Sequence, residues 1–104
     1  MKQVAHELIA METLEQVAPI IRVIAHPLRL HILDFLDHAG TPRSVGEIVE
    51  ACGEGVQQAV ISQQLRLLKD QNVLSAERDG TRIYYAIADR SVLYLLECIR
   101  QHRP

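Results

Sequence analysis

At 104 residues the chain is long enough to bury one core and too short to carry a catalytic domain beside a separate sensor domain. Its 48% apolar and 23% charged residues exclude a disordered protein, and with one Phe and no Trp the core must be built from Leu, Ile, Val and Ala, which favours helix packed on helix. A formal net charge of −2 means that charge alone does not point to a polyanionic partner, because nonspecific affinity for nucleic acid comes from Lys and Arg neutralising phosphates.

In chain order, Val4, Leu8, Met11, Leu14, Val17, Ile21 and Ile24 recur at spacings of three and four, which predicts one helical stripe within residues 1–25. Pro19 interrupts it, so a kink or break is expected near Ala18. His26-Pro27 fits the start of a second helix with Leu28, Ile32, Phe35 and Leu36 on its apolar face, ended by Gly40. Ser44, three residues before Glu47, reads as a capping box opening a short helix from Val45 to Cys52. Gly53-Glu54-Gly55 forces a turn, and the next helix, about Gln57 to Gln71, carries Ile61, Leu65 and Leu68 on one face and Gln57, Gln58, Ser62, Gln63 and Arg66 largely on others. Two short helices joined by a glycine turn, the second polar outside, form a helix-turn-helix pattern over residues 44–71.

The period then changes from 3.6 to 2. Val73–Arg78 and Thr81–Ile87 read as strands of a hairpin over residues 73–87, with Asp79-Gly80 as the two loop residues; that register pairs Arg78 with Thr81, Glu77 with Arg82 and Ala76 with Ile83. Asp89 or Ser91 can cap a last helix within residues 90–102, bearing Val92, Leu95, Leu96 and Ile99. The expected fold is a single winged helix-turn-helix domain, mainly α with a β-hairpin wing, in the order α-α-α-α-β-β-α.

No apolar run approaches the roughly 20 residues of a membrane span. Glu7, Glu12 and Glu15 stand where a signal peptide would be basic, so the expected location is cytoplasmic, without a membrane partner. Cys52 and Cys98 lack a Cys-x-x-Cys spacing and read as reduced thiols. No nucleophile–base pair, glycine-rich phosphate loop or metal cluster has credible spacing; neither an enzyme nor a cofactor is expected.

The runs HPLRLHIL (His26–Leu33), SVGEI (Ser44–Ile48), AVISQQLRLLKDQNVL (Ala59–Leu74) and ERDGTRIYYAI (Glu77–Ile87), in this order along nearly the whole chain, resemble the ArsR/SmtB family of bacterial winged-helix repressors. The resemblance implies a homodimer built from the first and last helices and a recognition helix in the major groove of an inverted-repeat operator in double-stranded DNA. It also implies a wing against flanking backbone or minor groove, and repression relieved by an effector. An excess of apolar residues on the terminal helices independently agrees with a dimer.

On that reading Gln57, Gln58, Ser62 and Gln63 are the candidate base readers, since Gln bonds adenine bidentately and Ser bonds bases or phosphate; the bland alternative is a solvated helix face. Arg66 is a phosphate candidate unless it pairs with Asp70 four residues on. Gln64 stands where many family members have a His, so no base preference carries over there. In the wing, Arg78 is the preferred DNA contact over Arg82, for which a pair with Glu77 competes; Thr81, Arg43 and Ser44 are further backbone contacts.

The family's familiar effector sites are incomplete here. Ser44-Val45-Gly46 lacks the Cys-x-Cys of soft-metal sensors, and Ser91 replaces a zinc-ligand His although Asp89 and His102 match, so no metal site is expected. Asp34 stands near the second-helix Cys of thiol sensors, leaving Cys98 without its expected partner; a Cys52–Cys98 redox switch is the remaining thiol alternative, with buried structural Cys as its competitor. The histidines match no metal spacing, His6 with His102 being the least implausible pair. The function read from the sequence is a DNA-binding repressor with an unidentified effector; a winged-helix module for protein–protein contact is the alternative that the acidic balance sustains.

Overall fold

The computed structural model describes residues 7–102; Val4 and His6 lie outside them. The elements are α1 (Met11–Ile24), α2 (Pro27–Ala39), β1 (Arg43–Ser44), α3 (Val45–Cys52), α4 (Gln58–Asp70), β2 (Leu74–Asp79), β3 (Arg82–Ile87) and α5 (Ser91–Arg100).

Local chemistry sets each boundary. His26 caps α2, its Nδ1 accepting from the Leu28 amide at 3.2 Å, Pro27 takes the first helical position, and Gly40 ends the helix at φ 71°. Ser44 caps α3: its Oγ accepts from the Glu47 amide at 3.2 Å while the Glu47 carboxylate accepts from the Ser44 amide at 2.9 Å, the reciprocal pair expected from sequence. At the end of α4 the Val73 amide donates to the Leu68 carbonyl and the Asn72 amide to that of Lys69, both at 2.9 Å, with Asn72 at φ 62°. This is a Schellman closure in which Asn takes the left-handed position usually held by Gly. It turns the chain directly into β2. Asp89 accepts from both the amide and the hydroxyl of Ser91 at the start of α5.

The core is one cluster. Ile32, Leu33 and Leu36 of α2, Ile48 and Cys52 of α3, Ile61, Leu65 and Leu68 of α4, Val73, Leu74 and Tyr85 of the hairpin, and Val92 and Leu96 of α5 are all buried. From α1 only Ile24 joins them, with Ile20 and Val23 half-buried against the cluster.

Four sequence expectations need correction. α1 begins at Met11, and Leu8, expected on its stripe, lies outside the helix and is exposed. The helix also runs through Pro19 without a break near Ala18. Most of α1 is exposed, so the carbonyl left without its proline donor can bond water, which removes much of the usual penalty. Third, the sheet has three strands, in the order β1-β3-β2 and antiparallel, where the sequence suggested two. Arg43 and Ser44, read only as a turn and a cap, pair with Tyr85 and Tyr84.

The hairpin pairing is also two residues away from that expected, with the loop displaced by one residue. Asp79 pairs with Arg82, Arg78 with Ile83, Glu77 with Tyr84 and Ala76 with Tyr85, so the two loop residues are Gly80 and Thr81. Gly80 has φ 65°, and Thr81 does not have a positive φ. Positive φ at the first loop position alone suits a type II′ turn, which places Gly first, whereas type I′ would need it at both. The observed register aligns Leu74, Ala76 and Arg78 with Ile87, Tyr85 and Ile83 on one face, where Leu74 and Tyr85 are buried.

Candidate nucleic-acid interface

Helices α3 and α4 with the wing present one continuous surface. An open cleft of about 670 Å³ has Ser44 and Glu47 at the start of α3 on one wall, Gln58 at the start of α4 on another, and Thr81 and Arg82 of the wing on a third. The capping box and the β1–β3 pairing at Ser44 are what bring the helix pair against the wing.

On α4, Gln57, Gln58, Gln63 and Arg66 are exposed and Ser62 is half-buried, while Ile61, Leu65 and Leu68 anchor the opposite face. Gln57 occupies the N-cap without making a side-chain cap bond, so the first-turn amides keep an electropositive helix end open to an anion. Arg66 and Asp70 make no ion pair among the described residues, so the competing use expected from sequence is not made.

In the wing, Arg78, Thr81 and Arg82 are all exposed and neither arginine is ion-paired among the described residues. The corrected register dissolves the Glu77–Arg82 pairing and sets Arg82 opposite Asp79. It is Arg82, with Thr81, that shares the cleft with Gln58.

Arg43 and Ser44 are more committed. Arg43 Nη1 donates to Glu47 Oε2 at 3.0 Å. The Ser44 side chain is buried and caps α3, although its residue still borders the cleft. The hydrogen bonds that the Glu47 carboxylate accepts from the Ser44 amide and the Arg43 guanidinium hold its carboxyl below the usual carboxylate range. Gln64, unlike Gln63, turns back into the protein: its Oε1 accepts from Arg29 Nε at 2.6 Å. Sequence reading had no signal for this contact, which joins residues far apart in the chain.

The effector-site residues are dispersed. Cys52 is buried, its Sγ 3.8 Å from the His31 carbonyl oxygen, and burial together with Asp34 pushes its thiol pKa up, which lowers the reactive thiolate fraction. Cys98 is exposed on α5, and both cysteines are free thiols. Asp34 and Asp37 of α2 both accept from Arg100 Nη2 of α5, at 2.6 and 2.9 Å. An ion-paired clamp therefore stands where a thiol pair was sought. Among the described residues no group of three His, Cys, Asp or Glu is placed to hold a metal ion within the chain. No described helix is long and apolar enough to cross a membrane.

A helix-turn-helix domain family matches residues 24–75, which span the helices α2 to α4 and their turns. The transcriptional repressor SmtB homolog of Synechocystis is 29% identical over 101 residues, covering 97% of this chain and 74% of its own. The crystal structure of AntR, an antimony-specific transcriptional repressor, superposes with a TM-score of 0.79 at 30% identity, over 91% of this chain and 83% of that one. A homodimeric winged helix-turn-helix DNA-binding domain from Mycobacterium bovis, Mb0332, described as a possible ArsR-family transcriptional regulator, has a TM-score of 0.69 at 36% identity, over 86% of this chain and 79% of its own. The chain belongs to the ArsR/SmtB family of winged-helix transcriptional regulators. This ArsR/SmtB regulator has the winged helix-turn-helix fold, with the helices α3 and α4 followed by the β2–β3 hairpin.

Proposed function

We propose that this regulator is a homodimeric repressor that reads one half of an inverted-repeat operator with each α4, using Gln57, Gln58, Ser62 and Gln63 against bases. Arg66, Arg78, Arg82 and Thr81 hold the phosphate backbone, and Arg43 and Ser44 support the edge of the motif. The observation that carries this reading is the shared cleft, in which the first glutamine of α4 and the tip of the wing open on the same side. Exposed apolar residues on α1 and α5, together with the homodimer formed by the Mycobacterium bovis domain, support the assembly. The broken effector sites support release by something other than zinc at the usual last-helix site.

The test is selection from a random-sequence duplex library followed by gel shift. The expected product is an inverted repeat whose half-site centres lie about one or two turns apart, at roughly 10 bp per turn. Equal affinity for the selected and a scrambled duplex would overturn the reading and favour a protein-contact module, in keeping with the net charge of −2.

A further inference from the structure

Two arginines of the described residues are half-buried, and they differ in partner. Arg43 is neutralised by Glu47, whereas Arg29 of α2 makes no ion pair among the described residues. Its charge is instead spent on two neutral acceptors from different elements: Nε donates to Gln64 Oε1 of α4 at 2.6 Å, and Nη1 donates to the Val23 carbonyl in the last turn of α1 at 2.7 Å. Carbonyls in a last turn have no partner within the helix, and a cation there also suits the helix dipole. A planar guanidinium with donors on fixed sides can hold both acceptors at once, which an ammonium at the end of a flexible stem does far less well.

Gln64 adjoins Gln63 on α4. Successive helical side chains point about 100° apart around the axis, so fixing Gln64 inward fixes the direction in which Gln63 is presented. We infer that Arg29 is a positioning residue: by tying Gln64 to the carboxyl end of α1 it sets the rotation of the recognition helix against the dimer helix, and so sets base discrimination without touching DNA. The inference rests on α4 being the base-reading helix.

The experiment measures affinity for the duplex that wild type enriches from a random library and for a scrambled duplex, with thermal unfolding recorded for each variant. Gln64→Leu and Arg29→Lys each lower the specific-to-scrambled ratio about tenfold, the scale of one hydrogen bond to a charged group. The Arg29→Leu/Gln64→Leu double variant falls no further than Gln64→Leu, because both remove one linkage. Gln64→Glu keeps the acceptor: its added charge weakens both complexes, but the ratio stays within about twofold. Should the double variant not fold, Gln64→Leu, Gln64→Glu and Arg29→Lys still decide. A ratio unchanged in Gln64→Leu and Arg29→Lys, with wild type discriminating, overturns the positioning role. So does a switch of preferred base in Gln64→Glu, which would make Gln64 itself a reader. Failure of wild type to discriminate at all overturns the base-reading assignment of α4, and this inference with it.

Discussion

Gln63 and Arg82 are both exposed and neither is paired among the described residues, and the proposed reading gives them different work. A glutamine on the outer face of a recognition helix discriminates among bases, because its amide matches the donor–acceptor pair of adenine; a wing arginine neutralises phosphate whatever the sequence. Gln63→Ala is therefore expected to lose about 1–3 kcal/mol of discrimination between the selected operator and single-base variants while leaving affinity for random DNA nearly unchanged. Arg82→Ala should weaken specific and random complexes alike and reduce the salt slope of binding by about 1. Binding isotherms at several salt concentrations distinguish the two, and parallel losses in both variants would remove the division of roles. The choice of Arg82 over Arg78 came from the structure alone: it is Arg82, opposite Asp79 at the tip of the wing, that lines the cleft with Gln58, while Arg78 lies opposite Ile83.

At the scale of elements, the junction of β1 and α3 rests on Glu47, whose carboxylate serves the Ser44 amide and the Arg43 guanidinium together. Its folded pKa lies below the ordinary carboxylate value. A group with a lowered folded pKa contributes stability above its unfolded pKa and loses that contribution as pH falls through the folded one. Glu47→Gln should accordingly lower the melting temperature at neutral pH, with the gap to wild type closing once the pH drops well below about 4. A gap that persists at acid pH would show that the carboxylate charge is not what holds the junction. This capping box was legible because Ser44 and Glu47 stand three residues apart; the ends of α2 were equally so, since Pro27 and Gly40 act through their own backbones. What remained illegible was set by contacts distant in sequence. Pairing of Arg43 and Ser44 with Tyr85 and Tyr84 makes a third strand too short to show periodicity. Solvation of α1 lets Pro19 sit inside a helix that local rules would break, and the bond from Arg29 to Gln64 turns one glutamine of a polar run inward.

The whole molecule has a radius of gyration of 15.7 Å and extents of 51 × 32 × 22 Å, against about 13 Å expected for a compact chain near 100 residues. The excess agrees with α1, which meets the core through Ile20, Val23 and Ile24 at its C-terminal end. Along its length Met11, Leu14, Val17 and Ile21 are 68%, 42%, 40% and 52% exposed, at spacings that place them on one stripe, while α5 adds Tyr94 and Ile99 at 80% and 45%. An amphipathic helix whose apolar stripe stays this exposed within its own chain gains little from folding alone. The proposed homodimer would cover that stripe with a second copy and fix the separation of two recognition helices, making operator affinity depend on dimerisation. Ile21→Asp places a charge in the middle of the proposed interface, and burial of an unpaired charge costs at least several kcal/mol, so the dimer constant should weaken by more than about 100-fold. Sedimentation at micromolar concentration should then show the 11.7 kDa chain, with wild type at twice that mass. The variant should keep its circular dichroism, because residue 21 lies outside the buried core, and yet lose binding to the inverted repeat far more than to random DNA. A variant that stays dimeric would place the interface elsewhere on the surface. A variant that became monomeric but bound the repeat undiminished would break the link between assembly and operator reading.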